Sequence, residues 1–467
     1  MSPCLARCLA LAALALAACS KAPSGPDLGR LYRAGTQFAD ATPVIIIPGL
    51  FGSKLRDRTT GAEVWPGSAR QILFDDYHQL ALDFDRSTLA VRPDSLEAFD
   101  IADAALGQDF YGKLIATLRD FGGYVRGIAG VPPKPGERRY YVFAYDWRQD
   151  NVETARGLDR LIEAIRRDYG DPKLRVDIVA HSMGGLVARY YQRYGTDDVL
   201  DGRESQISLY GTSRVRKLIL LGTPNMGSVS SLHAFLSGEA IGFGRIPQEA
   251  LATLPSGYQL FPHPLVTWLL DASGHAVQDD LFDGTTWRRY HWSIFDPAVE
   301  ARIRGARGAD ADAYLAALAR FFDYRLERAR RFLWALSTPE PPTRIRYVLF
   351  GGDCEPTPAR LVLEGHGGTS VARLYPDQVR ERVPGISYRD LMLEPGDGSV
   401  TKPSLLARER LDPSAPQNAD SVIPIAYWFF LCEHHDRLTG NINFQDNLLN
   451  VLLTRTLPWE MVPSATQ

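Results

Sequence analysis

The segment VDIVAHSMGGLVARYY, residues 176–191, changes character at a single serine. Up to Ala180 it is a β-branched apolar run, from Met183 it reads as a helix, and Ser182 stands in the turn between them. Strand, sharp turn and helix in immediate succession form the setting of a nucleophile elbow, in which the hydroxyl projects while the flanking backbone stays packed. Ala180 and Gly184, two positions either side of Ser182, are small enough for strand and helix to approach closely. Ala180 stands where G-x-S-x-G would have glycine. The helix N-terminus behind the serine favours developing negative charge.

Outward from this segment the same rhythm repeats. PVIII (43–47), YYVFAY (140–145), RVDIV (175–179), KLILL (217–221), RYVLF (346–350) and Val422–Ala426 are short buried-strand patterns. Between them lie helical patterns such as Leu158, Leu161, Ile162 and Ile165, closed by Gly170, and a last one with Phe444, Leu448, Val451 and Leu452 on one side. The expectation is an α/β-hydrolase fold, a mostly parallel sheet flanked by helices. A core spans 43–227 with an insertion at 53–139, and 344–467 completes it. Residues 228–343, holding a helical pattern from Asp310 to Leu336, are expected to form a cap or lid. Within the cap, TTWRRYHWSIF (285–295) could meet lipid headgroups through Arg288 and Arg289, with Trp287 and Trp292 at the interface, or pack as a cap helix.

The chain has 467 residues, 45% hydrophobic and 23% charged, with Lys+Arg 52 against Asp+Glu 55. That balance leaves no basic footprint for nucleic acid, and the apolar content argues against disorder. Residues 1–18 carry one charge, Arg7, before an apolar run too short to span a bilayer, as in a secretory signal. The run ends in Leu16-Ala17-Ala18-Cys19, which resembles a bacterial lipobox. The resemblance implies lipidation of Cys19, a flexible tether over 19–42, and, with Ser20 next, sorting to the outer membrane. Of the 5 cysteines, Cys354 and Cys432 then remain in the body, and an oxidising compartment permits a disulfide between them.

A serine nucleophile needs a base and an acid to orient it, following in the order Ser, acid, His. Of the 9 histidines, His434 and His435 lie near the end, in a loop before the closing helix. Asp397, in the glycine-flanked EPGDGSV, is the candidate acid and Asp353 its rival. His181 is expected to pack or line the pocket. The oxyanion would sit on the backbone N–H of Met183 and on one from PGLFG (48–52), Phe51 first and Leu50 second. Asp146 and Arg148 read as a structural pair near a strand end. No metal-binding or dinucleotide motif occurs, so neither metal nor cofactor is implied.

Taken together, IIIPGLFGSKL, AYDWR, AHSMGGLVARYY, LGTPNMGS, LPSGYQLFP, GDGSV and EHHDRLTGN resemble the lecithin:cholesterol acyltransferase family, in order from about residue 43 to 455. The resemblance implies a triad of Ser182, Asp397 and His435, the last chosen because its spacing to Asn441 fits the family's H-x5-N. It also matches Trp65, in EVWPG, to the family's tryptophan of a lid and membrane-binding segment, although a buried turn tryptophan fits as well. The function implied is transfer of a fatty acyl group from a phospholipid to an alcohol or to water, at a membrane surface. An esterase for other esters, or a non-catalytic binding lipoprotein, are the alternatives. Oligomeric state is not legible.

Overall fold

The computed structural model describes residues 25–32, 41–74, 76–105, 108–202, 206–341, 343–365, 370–409 and 421–454. The signal segment, Cys19 and most of the tether lie outside the described residues. Seven strands form the central sheet: β1 (Val44–Ile47), β2 (Tyr124–Arg126), β3 (Arg138–Val142), β4 (Val176–His181), β5 (Val215–Leu221), β6 (Arg346–Gly352) and β7 (Ile425–Leu431). Their order is β7-β6-β5-β4-β1-β3-β2, and every pair is parallel. The helices that matter below are α1 (Gly112–Asp120), α2 (Asn151–Tyr169), α3 (Met183–Tyr194), α4 (Val229–Ser237), α5 (Gly284–Arg289), α6 (Pro297–Arg307), α7 (Ala311–Ser337) and α8 (Ile442–Leu453).

Local chemistry explains the boundaries. The Asp150 carboxylate accepts from the Val152 N–H and starts α2, Glu153 and Arg166–Arg167 match the helix dipole, and Gly170 ends it in the left-handed region. All four residues of β1 are buried, as a central strand covered on both faces requires. The last strand begins at Ile425 rather than at Val422. Pro424 cannot donate to the ladder, and the aromatic run Tyr427–Phe430 supplies the pairing residues against β6. The strand expected at 140–145 is shifted to Arg138–Val142.

One apolar core covers one sheet face and runs without interruption into residues 229–345 through Phe235, Trp287, Phe322 and Phe332. A second, including Leu114, Phe444 and Leu448, covers the other. In the stretch after β1, Ser53–Asp57, Glu63–Trp65 and Leu96–Ile101 form a small antiparallel sheet, and β2 already belongs to the central one. Burial decides two points that the sequence raised. Trp287 and Trp292 are 0% and 7% exposed, and Arg288 and Arg289 pair with Asp323 and Asp279, so this segment packs inside the cap and presents no indole to an interface. Asp146 and Arg148 form the expected structural pair, with Arg148 fully buried between Asp146 and Asp94, at 2.7 Å from each. Its planar fork satisfies both carboxylates and pins the small antiparallel sheet to the core.

Candidate active site

Three elements deliver three side chains to the carboxyl edge of the sheet. Ser182 follows β4 with φ 53°, a conformation that non-glycine residues rarely hold, and α3 starts at the next residue. The turn is forced by packing: a Cβ on Gly184 would lie 2.5 Å from the Pro48 carbonyl, so no larger residue fits there. Asp397 lies 45 positions beyond β6 in sequence, yet the ribbon Glu355–Pro358 against Leu393–Gly396 folds it back to the end of that strand. His435 comes from the loop after β7, and its backbone N–H donates to the Asp397 carbonyl at 2.8 Å. A disulfide joins Cys354, just past β6, to Cys432, just past β7, and so ties together the two strand ends that carry acid and base.

The side chains meet in one line. Ser182 Oγ donates to His435 Nε2 at 2.9 Å, and His435 Nδ1–H donates to Asp397 Oδ2 at 2.8 Å. Asp397 is 0% exposed, and its other oxygen accepts the N–H groups of Ser399 at 3.0 Å and Val400 at 2.7 Å. Those donors hold the carboxylate aimed at the imidazole. Burial pulls the His435 pKa down, but the Asp397 charge and hydrogen bond, aided by Asp436, outweigh it and leave the ring above the ordinary histidine value. The rivals lie elsewhere. His434 faces Glu355 at 3.4 Å, and Asp353 pairs with Lys402 at 2.8 Å.

Across the serine lies the turn Gly49-Leu50-Phe51-Gly52, closed by Gly52 N–H donating to the Gly49 carbonyl at 3.0 Å, with Phe51 at φ 64°. A Cβ on Gly49 would stand 2.7 Å from that of Ser182, so only glycine lets this backbone reach the nucleophile. Among the described residues, the N–H groups of Leu50, Phe51 and Met183 make no hydrogen bond. The Leu50 amide is bonded directly to Gly49, whereas Phe51 turns its carbonyl to Trp65 Nε1 at 2.8 Å and its ring to Trp65 and Trp147. Trp65 is 5% exposed, a buried wall of the cavity rather than a surface anchor.

Sequence reasoning missed the role of Tyr111. Its hydroxyl accepts the Gly49 N–H at 2.9 Å and donates to His181 Nδ1 at 2.8 Å, and His181 Nε2–H donates to the His435 carbonyl at 3.1 Å. Burial, with the neighbouring His435, holds His181 well below the ordinary histidine pKa, so its ring is neutral and can accept at one nitrogen while donating at the other. One relay thus ties the glycine turn to the backbone of the base. Nothing in the sequence distinguishes Tyr111 from the chain's other 19 tyrosines.

Ser182 and His435 open onto two adjoining cavities of about 200 Å³ and 490 Å³. Leu251, Leu254, Leu260 and Phe235 line the smaller; Trp65, Ile72, Phe110 and Ile241 line the larger. A cap hairpin, Glu239–Ile241 paired with Gly244–Ile246, walls the site and carries Phe243, 85% exposed, at its tip.

A serine on a strained strand-to-helix turn, backed by a histidine and a buried aspartate at the carboxyl edge of a parallel sheet, is the architecture of the α/β-hydrolase fold. The lecithin:cholesterol acyltransferase family model matches residues 69–295, so the chain is similar to that family over this stretch. Among curated proteins, the dog (Canis lupus familiaris) lysosomal phospholipase A and acyltransferase is 27% identical over 150 residues, 31% of this chain and 30% of that protein. The match therefore spans less than a third of that relative's length. Among solved structures, the Tle4–Tli4 complex superposes with a TM-score of 0.56 at 15% identity, covering 88% of this chain and 98% of that one. That likeness shows the fold.

Proposed function

We propose that the protein is a serine-dependent lipid acyl hydrolase or O-acyltransferase that takes a fatty acyl group from a glycerophospholipid. The observation that carries this reading is the hydrogen-bonded line Ser182–His435–Asp397 opening onto two apolar-walled cavities. Ser182 Oγ attacks the ester carbonyl as His435 Nε2 takes its proton, and Asp397 stabilises the imidazolium. The oxyanion forms against the amide of Met183 and that of Leu50 or Phe51, at the N-terminus of α3. His435 then protonates the leaving alcohol. Water or a second alcohol, deprotonated by the same nitrogen, releases the acyl group from the serine. The family match and the curated relative's name support a lipid ester as substrate. Export as a lipoprotein, anchored through Cys19 at the outer membrane, belongs to the same proposal. It is supported by the lipobox-like sequence and by a Cys354–Cys432 disulfide of the kind oxidising compartments keep.

The test uses phospholipid vesicles with a labelled acyl chain, protein lacking residues 1–19, and Ser182→Ala beside it, with and without a sterol or diacylglycerol. New ester that requires both acceptor and Ser182 establishes transfer, and free fatty acid alone establishes a phospholipase. Absence of both products overturns the proposal.

A further inference from the structure

Both cavities beside Ser182 are bordered by one residue of the cap that carries charge. Glu239 opens the cap hairpin and lines the smaller and the larger cavity, together with Ser182 and His435. The other carboxylate is Asp436, in the larger cavity, and among the described lining residues there is no lysine or arginine. Glu239 is half-buried, and among the described residues its carboxylate makes no hydrogen bond or ion pair. Burial alone pushes its carboxyl up to about 7. A carboxylate held in apolar surroundings without a partner is costly to the fold, and a cation brought beside it relieves that cost.

The groups facing Glu239 sharpen its preference. The larger cavity is also lined by the neutral ring of His181, the ring of His435 and Asp436. Burial disfavours ionisation of Tyr375, which lies close enough for the Glu239 charge to add to that effect. On α4, which packs against the hairpin, the buried His233 is held down to about 4 and is neutral. On the paired strand the Arg245 guanidinium donates to the Ser237 carbonyl at 2.5 Å. Above about pH 7 Glu239 is ionised, and no lysine or arginine among the described lining residues offsets it.

On the reading of Ser182 as an acyl-transferring nucleophile, we infer that Glu239 is the specificity-determining residue for the alcohol portion of the ester. It favours an alcohol portion that brings an ammonium group to the cavity junction over one that brings only an anion. The smaller, leucine- and phenylalanine-lined cavity takes the acyl chain. The alcohol portion lies toward the larger cavity, which Glu239 also lines.

The experiment compares kcat/KM for butyrate esters of three alcohols: choline, its uncharged isostere 3,3-dimethylbutanol, and the anionic 2-hydroxyethanesulfonate. At pH 8 the cationic-to-anionic ratio is expected to be about tenfold or more, the scale of one unit charge facing another at partly screened separation. It should shrink towards one at pH 5.5, where Glu239 is protonated. Loss of His435 basicity slows all three esters together and leaves the ratio readable. Glu239→Gln should bring the ratio at pH 8 close to one, and Glu239→Lys should invert it. A wild-type ratio within twofold of that of Glu239→Gln overturns the inference while leaving the nucleophile intact. If none of the three esters is cleaved and a fluorophosphonate fails to label Ser182, the proposed function itself has failed, and the inference with it.

Discussion

Replacing Tyr111 by phenylalanine removes one oxygen from a buried relay and leaves the ring in place. In the native structure that oxygen accepts the Gly49 N–H and donates to His181 Nδ1. The variant therefore strands the buried Gly49 N–H and leaves a half-buried ring nitrogen of His181 without its donor. One unsatisfied buried donor costs about 1–3 kcal/mol, so a loss of about 2 kcal/mol in unfolding free energy is expected. The catalytic effect arises through Gly49, whose backbone touches Ser182 and whose turn carries the candidate oxyanion amides. If about 1.4 kcal/mol of the loss falls on the positioning of that turn, kcat/KM drops about tenfold. Two assays decide it: urea unfolding, and the second-order rate of fluorophosphonate labelling at Ser182. Wild-type values in both would refute the claim that this relay holds the turn. A loss of stability with unchanged labelling would make Tyr111 a packing residue only.

Other outcomes follow from the same geometry. Asp397→Asn keeps the shape but removes the charge that fixes the His435 tautomer, and kcat should fall about 10³–10⁴-fold, with a melting curve checking the fold. Because the His435 pKa is raised and the ring must be neutral to act as base, kcat/KM should rise with pH through a value above the ordinary 6.5. Asp397→Asn should move that limb downward. Replacing Cys354 and Cys432 by serine opens a bridge with a sequence separation of 78 and should cost about 4 kcal/mol, read by unfolding with and without reductant. Asp94→Ala leaves the buried Arg148 with half its partners and should destabilise the fold by about 3–5 kcal/mol in the same assay.

What could be read from sequence depended on the range of the interaction. The elbow was legible because strand, serine and helix are consecutive, and Ala180 and Gly184 mark the packing directly. Flanking glycines and chain order narrow the acid to Asp397 or Asp353 and the base to His434 or His435, and the family resemblance implies Asp397 and His435. The ribbon that returns Asp397 to the sheet comes from pairing between segments with no shared local pattern. Tyr111 and Glu239 were not legible. The one acts through a hydroxyl reaching a glycine 62 positions away. The other matters only because the cap folds a lone acid over the serine. The aromatic-basic stretch around Trp287 leaves a lipid interface and a packed cap helix both open, and only long-range packing decides between them. Its composition suits a lipid interface, but its indoles fill the cap interior against Phe322 and Phe261.

The central claim is that an acyl group passes through Ser182. Mass spectrometry of protein mixed with a labelled-acyl phospholipid and quenched in acid within the first turnovers measures that directly. The account predicts the mass of one acyl chain on the peptide containing Ser182 in the wild type and none in His435→Ala. Product formed with no acyl group on Ser182, or with the label on another residue, would contradict it.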